Sequence, residues 1–261
     1  MSGAVVASFM FHEVSDDPAT TGFQRSAARH YKHTPAAFGA YLDAIGSAAT
    51  PTILPQIDLS QPGRDVLLTF DDGGKSARTA ASELERRGWR GHFFVVTSLV
   101  GARGFATAED IRAIHRAGHV VGSHSHTHPD IFRDLTFDRA VEEWRTSADW
   151  LSQLLGAPCV SASVPGGDIS GRVLDSAEAA GLRYLFTSEP WLRPRRRREC
   201  WVLGRFSVKL ETSAAEVGRL ACFRGWSGAL ARRRMKVVAT RAIPPLYRLY
   251  VRLRTRSGSG D

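Results

Sequence analysis

Seven short apolar runs rich in β-branched and aromatic residues alternate with amphipathic segments of helical period through the first 210 residues of this chain. The runs fall at about 5–11, 65–70, 92–96, 119–123, 159–164, 183–187 and 201–208. Strand-length runs separated by helices demand crossovers, and crossovers give a parallel sheet with helices packed on its faces. The helices are legible too. Thr34-Pro35 caps one whose apolar positions are Phe38, Tyr41, Leu42 and Ile45, and the rest fall near 76–87, 107–117, 136–155, 172–180 and 213–223. Polar residues gather after the runs and not before them. That suits an α/β chain folded as an incomplete β/α barrel of seven strands better than an open doubly wound sheet. The basic stretch Arg193 to Arg198 reads as a solvated loop.

The second run ends in Thr69-Phe70-Asp71-Asp72-Gly73-Gly74. Adjacent side chains on an extended backbone point to opposite sides, so the two carboxylates are set for different jobs. The glycines let the chain turn sharply and bring a ligand close. Alone, Asp-Asp-Gly is also an ordinary turn. The fourth run delivers His124-Ser125-His126-Thr127-His128-Pro129, with His124 and His128 four residues apart. Neighbouring barrel strands would bring these two ends together. Two imidazoles and one carboxylate would leave open positions on a divalent metal, the arrangement that activates water or polarises a carbonyl.

These two motifs, in this order and at this separation, closely resemble those of the polysaccharide deacetylase family (carbohydrate esterase family 4, the NodB-homology domain). Gly91-His92-Phe93-Phe94-Val95 and Ala117 to Ser123 are similar to the family as well, and the resemblance spans roughly residues 5 to 210. It implies a deformed β/α barrel that hydrolyses acetamides on amino sugars with one divalent ion, zinc or alternatively cobalt or nickel. Asp71 becomes the general base, and Asp72, His124 and His128 become metal ligands. Gly73, with Pro165 and Gly166 after the fifth run, falls on the substrate and oxyanion side. His126 matches a variable position.

The chain departs from the family at two places. Ser163, in Ser163-Val164-Pro165, stands where the family carries an Arg that orients the base. Gly204-Arg205-Phe206-Ser207-Val208 has no histidine where many members carry the general acid. Met10-Phe11-His12-Glu13-Val14 resembles the exopolysaccharide-deacetylase branch, in which an N-terminal His is the acid. His12 is therefore the candidate acid, and an ordinary surface histidine is the competing reading.

Charge divides the chain. Of the net +9, the whole excess lies between Arg224 and Asp261, where ten Arg or Lys meet one acid. The sequence thus reads as a catalytic domain over 1–223 and a basic tail over 224–261. In the tail Arg and Lys interleave with Val, Ile, Leu and Tyr, the pattern of a segment lying on an anionic membrane. A solvated tail competes, and nucleic acid ranks last because no nucleic-acid-binding signature accompanies the charge. Three scattered cysteines suggest free thiols in a reducing compartment, and no leader or membrane span is evident, so the expected place is the cytoplasm, peripheral on the inner face of the membrane. The expected partner is an N-acetylated glycan or glycolipid. The rival function is a carbohydrate-binding or scaffold protein that kept the barrel and lost turnover. A non-haem iron oxygenase uses similar ligands, but the local His-x-Asp/Glu pairing is missing.

Overall fold

The structure, a computed structural model, describes residues 3–167 and 169–242. Its strands are β1 (Val5–Phe11), β2 (Glu13–Val14), β3 (Lys32–His33), β4 (Arg64–Phe70), β5 (His92–Val95), β6 (Val120–Ser123), β7 (Ser161–Ser163), β8 (Tyr184–Phe186), β9 (Arg195–Arg197), β10 (Cys200–Leu203) and β11 (Phe206–Ser207). The helices are α1 (Pro35–Gly46), α2 (Ala77–Arg86), α3 (Ala108–Arg116), α4 (Phe137–Leu155), α5 (Gly171–Ala179), α6 (Ala214–Ala221) and α7 (Trp226–Ala242). Nine strands form one sheet in the order β11-β1-β4-β5-β6-β7-β8-β10-β9, and β2 and β3 pair separately. All neighbours in the large sheet are parallel except β9 against β10.

The expected seventh strand is broken in two. Its first half, β10, pairs with β8, and its second half, β11, pairs with β1 on the opposite edge. The break therefore closes the sheet into a deformed, incomplete (β/α)7-type barrel. Gly204 makes the break possible, because a Cβ there would collide with the carbonyls of Glu189 and Trp191. Loop 188–192 fills the seam below β11, where the Leu192 carbonyl accepts from the Val6 N–H at 2.7 Å.

The barrel interior is a small apolar cluster that includes Val6, Leu67, Phe94, Phe186 and Leu203. A larger layer between strands and helices contains Phe9, Phe38, Phe70, Phe93 and Trp144. Helix starts follow local chemistry: Thr34 and Thr136 accept from Ala37 and Arg139 N–H, and Thr107 forms a reciprocal capping box with Asp110.

Two expectations need correction. Residues 195–197 are not loop but the edge strand β9, exposed along its length, with Arg197 ion-paired to Asp175 and Arg195 stacked over Trp191 at 4.0 Å. Lone side-chain charge hid this strand, because an edge strand buries neither face. The chain past Arg224 also re-enters the body. Helix α7 begins with Trp226 buried against Phe9 and Phe206, and its Arg233 pairs with Glu189 at 2.9 Å. The remainder of the basic tail, 243–261, lies outside the described residues.

Candidate active site

Asp71 and Asp72 emerge directly from the end of β4 and His124 directly from the end of β6; the two strands are not neighbours as expected, because β5 lies between them. Asp72, Ser125 and His128 all have positive φ, at 75°, 64° and 54°. Non-glycine residues rarely sit there, and such strain collects at functional sites where the surroundings impose it. Gly73 also has positive φ, 71°, and a Cβ on it would press Val95 at 3.1 Å.

The turns bring Asp72, His124 and His128 together. One ligand atom from each lies within 4.8 Å of the others. Asp72 Oδ1 is 3.4 Å from His124 Nε2 and 3.8 Å from His128 Nε2. The donor set fits a divalent ion for a second reason. Ser163 Oγ donates to Asp71 at 3.0 Å, so His124 Nδ1, 2.6 Å from that oxygen and 3.0 Å from the Ser163 carbonyl, must donate in turn. That tautomer leaves the lone pair on Nε2, facing Asp72. His126 turns away, with its Nδ1 2.9 Å from the Thr97 hydroxyl.

Asp71 takes the opposite side, as the strand alternation requires. Burial would raise its pKa, but the Arg205 guanidinium and His124 outweigh that and hold the carboxyl below the ordinary range. Arg205 is fully buried and spans both oxygens, Nη1 to Oδ1 at 2.7 Å and Nη2 to Oδ2 at 2.8 Å. Its Nε donates to the Thr187 carbonyl and its plane lies over Phe94 and Phe186, so it caps the apolar interior. Asp72 is likewise depressed: burial opposes, while His12 and then His124 favour the anion. His124 is raised because Asp71 and Asp72 overcome burial, whereas burial and then His124 push His128 down to about 4.

His12 follows β1 and stands near these carboxylates. Burial lowers its pKa, with Asp72 and Asp71 pulling the other way. Its ring packs on Tyr31 at 4.5 Å, and its Nδ1 is buried without a hydrogen-bond partner. It is thus not an ordinary surface side chain. Phe23 packs on His128 at 4.9 Å, so loop 15–31 roofs the site from both sides. Pro165 is buried in the turn after β7, and exposed Gly166 has φ 64°. The neighbouring Gly167 carbonyl accepts from Arg233 at 3.5 Å, which places α7 on the rim.

Sequence reading missed two residues here. Arg205 had a signal, a lone cation inside an apolar strand-length run. Glu13 had little. Its carboxyl is buried beside Gly22 and Gly74, takes hydrogen bonds from Thr21 and Ser76, and burial raises its pKa to about 7.

The fold that carries this site has known counterparts. Residues 58–185, just under half of the chain, match the polysaccharide deacetylase family model. A 30.6 kDa uncharacterized protein of Geobacillus stearothermophilus is 30% identical over 129 residues; the match covers 48% of this chain and spans only 46% of that relative. Among solved structures, a polysaccharide deacetylase from Bacillus cereus superposes with TM-score 0.70 at 18% identity, covering 83% of this chain and 69% of that one. IcaB from Ammonifex degensii gives 0.69 at 22%, covering 85% and 98%. The Streptococcus pyogenes deacetylase PplD, in complex with acetate, gives 0.69 at 17%, covering 84% and 99%. At such identities the likeness establishes a shared fold.

Proposed function

Residues 58–185 belong to the polysaccharide deacetylase family, and on that premise we propose that the chain is a metal-dependent hydrolase removing the N-acetyl group from an amino sugar. The substrate class is a polysaccharide or glycolipid intermediate, and the products are acetate and a free amine. The observation that carries this reading is the pairing of an ionised, arginine-held carboxylate, Asp71, with the adjacent cluster of Asp72, His124 and His128. A binding module has no use for a base kept ionised beside a ligand triad.

Asp72, His124 and His128 would hold the ion, zinc or a similar divalent cation, which when bound supplies Lewis acidity towards the acetamide carbonyl and an acidified water. Asp71 accepts the proton of the attacking water. Arg205 keeps it aimed and unprotonated, the task that Ser163 cannot perform. In this reading a backbone N–H at Gly73 would donate to the developing oxyanion, and Pro165 and Gly166 would border the sugar. His12 gives a proton to the departing nitrogen, which leaves poorly as an anion. Loop 15–31 narrows the access of water.

Among the described residues no helix is long and apolar enough to cross a membrane. The three cysteines are free, which supports a reducing, cytoplasmic setting, and the basic tail supports a peripheral place on the inner face of an anionic membrane. The decisive experiment measures acetate release from a panel of N-acetylated glycans and glycolipids with zinc, cobalt or chelator present. Release that needs the metal is expected. Binding of a glycan without any release would instead make the chain a carbohydrate-binding protein on the same barrel.

A further inference from the structure

We infer that Glu143, on α4, is the positioning residue that sets the metal affinity of the histidine turn, an inference that rests on the metal-ligand reading of Asp72, His124 and His128. Glu143 is 1% exposed. Its Oε2 accepts from the N–H groups of His126 at 3.0 Å and Thr127 at 2.8 Å, and its Oε1 accepts from the Thr127 hydroxyl at 2.7 Å. Arg139, one turn earlier on the same helix, donates to Oε1 at 3.2 Å and balances the charge. One buried carboxylate therefore binds the three-residue span between the two candidate histidine ligands and touches neither ligand.

The span needs such an anchor. Its ends are strained, with Ser125 and His128 both at positive φ. A second hydrogen-bonded chain fixes the same turn from the strand side: Ser147 Oγ accepts from Ser123 Oγ, which accepts from the Ser125 N–H, and Ser125 Oγ accepts from the His128 N–H. Hydroxyls and the backbone N–H groups of Thr97 and Ser98, which donate to the Ser125 and His126 carbonyls, hold that side without charge, whereas Glu143 gives the backbone N–H groups of the turn a charge-assisted acceptor. Without it the N–H groups of His126 and Thr127 lose their acceptor, and His128 has less reason to keep its left-handed conformation. His124 is held separately by Ser163. The consequence falls chiefly on the placement of His128, hence on how well three ligands converge.

The test is titration of the metal-free chain with Co2+, followed by its visible absorption, for wild type, His128→Ala, Glu143→Gln and Thr127→Val. Glu143→Gln keeps the shape but removes the charge, and its NH2 must face either the His126 and Thr127 N–H groups or the Arg139 guanidinium. It should weaken Co2+ binding roughly 10- to 100-fold and alter the visible band, the range seen when a group orienting metal ligands is lost. Thr127→Val removes one bond at an exposed position and should weaken binding less, in the same direction. Equal Co2+ affinity and spectrum in wild type and Glu143→Gln, with only the melting temperature lowered, would reduce Glu143 to a structural residue and overturn the inference. If Glu143→Gln fails to fold, Thr127→Val decides, and wild-type affinity in it overturns the inference. A wild-type chain that binds no Co2+ overturns the metal reading itself, and an unaltered His128→Ala does the same, so the two failures are distinguishable.

Discussion

Arg205 grips both carboxylate oxygens of Asp71, at 2.7 and 2.8 Å, from the one place where the barrel's seventh strand is broken. Breaking such a pair leaves a buried carboxylate alone, which typically costs about 3–5 kcal/mol. Arg205→Ala should be destabilised on that scale in urea unfolding. Arg205→Lys keeps the charge but loses the two-pronged geometry. Its Asp71 should protonate more readily, so the acid limb of the pH–rate profile should move to higher pH than in wild type. A profile unchanged in Arg205→Lys would show that the arginine does not govern the base.

Asp71→Asn should retain metal, because the ligand cluster lies on Asp72, and should lose turnover by roughly 10²-fold or more, the range for a general base. Metal content and acetate release measured on the same preparation check this. Near-wild-type release would remove Asp71 from the mechanism.

His12→Ala should slow hydrolysis of a sugar acetamide far more than that of an activated aryl acetate, because an aryl oxide leaves unaided and an amine does not. Wild-type activity should also fall as pH rises through the His12 pKa, which burial sets below the ordinary histidine value. Equal losses on both substrates would point to general damage, and no loss on either would mean that another group protonates the amine.

Glu13 should make the fold less stable as pH rises. The unfolded carboxyl releases its proton near 4.5 and the buried one near 7, so the unfolded chain binds fewer protons across that window. A shift of that size corresponds to roughly 3 kcal/mol, lost progressively between those two pH values. Buried His33 and His92, both pushed down to about 4, act in the opposite sense as pH falls below 6.5. The difference between wild type and Glu13→Gln isolates the carboxyl: its gap in unfolding free energy should widen between pH 5 and pH 8. A constant gap would mean that Glu13 titrates normally.

The sequence by itself determined the strand–helix alternation, because periodicity and capping residues such as Thr34, Thr107 and Thr136 act within a few residues of chain. It also determined the two motifs after β4 and β6, since a strand's direction fixes which residues reach its end. What it left open depended on contacts between distant segments. Nothing local in Cys200 to Val208 says that Gly204 interrupts the strand, that β11 crosses to the opposite edge, or that Arg205 then points at Asp71, 134 residues earlier. Ser163, read alone, marked a missing arginine, and only closure of the barrel supplied one from another strand. Nothing local in the sequence marks Glu143; only the packing of α4 against the histidine turn buries it and turns a common carboxylate into an anchor.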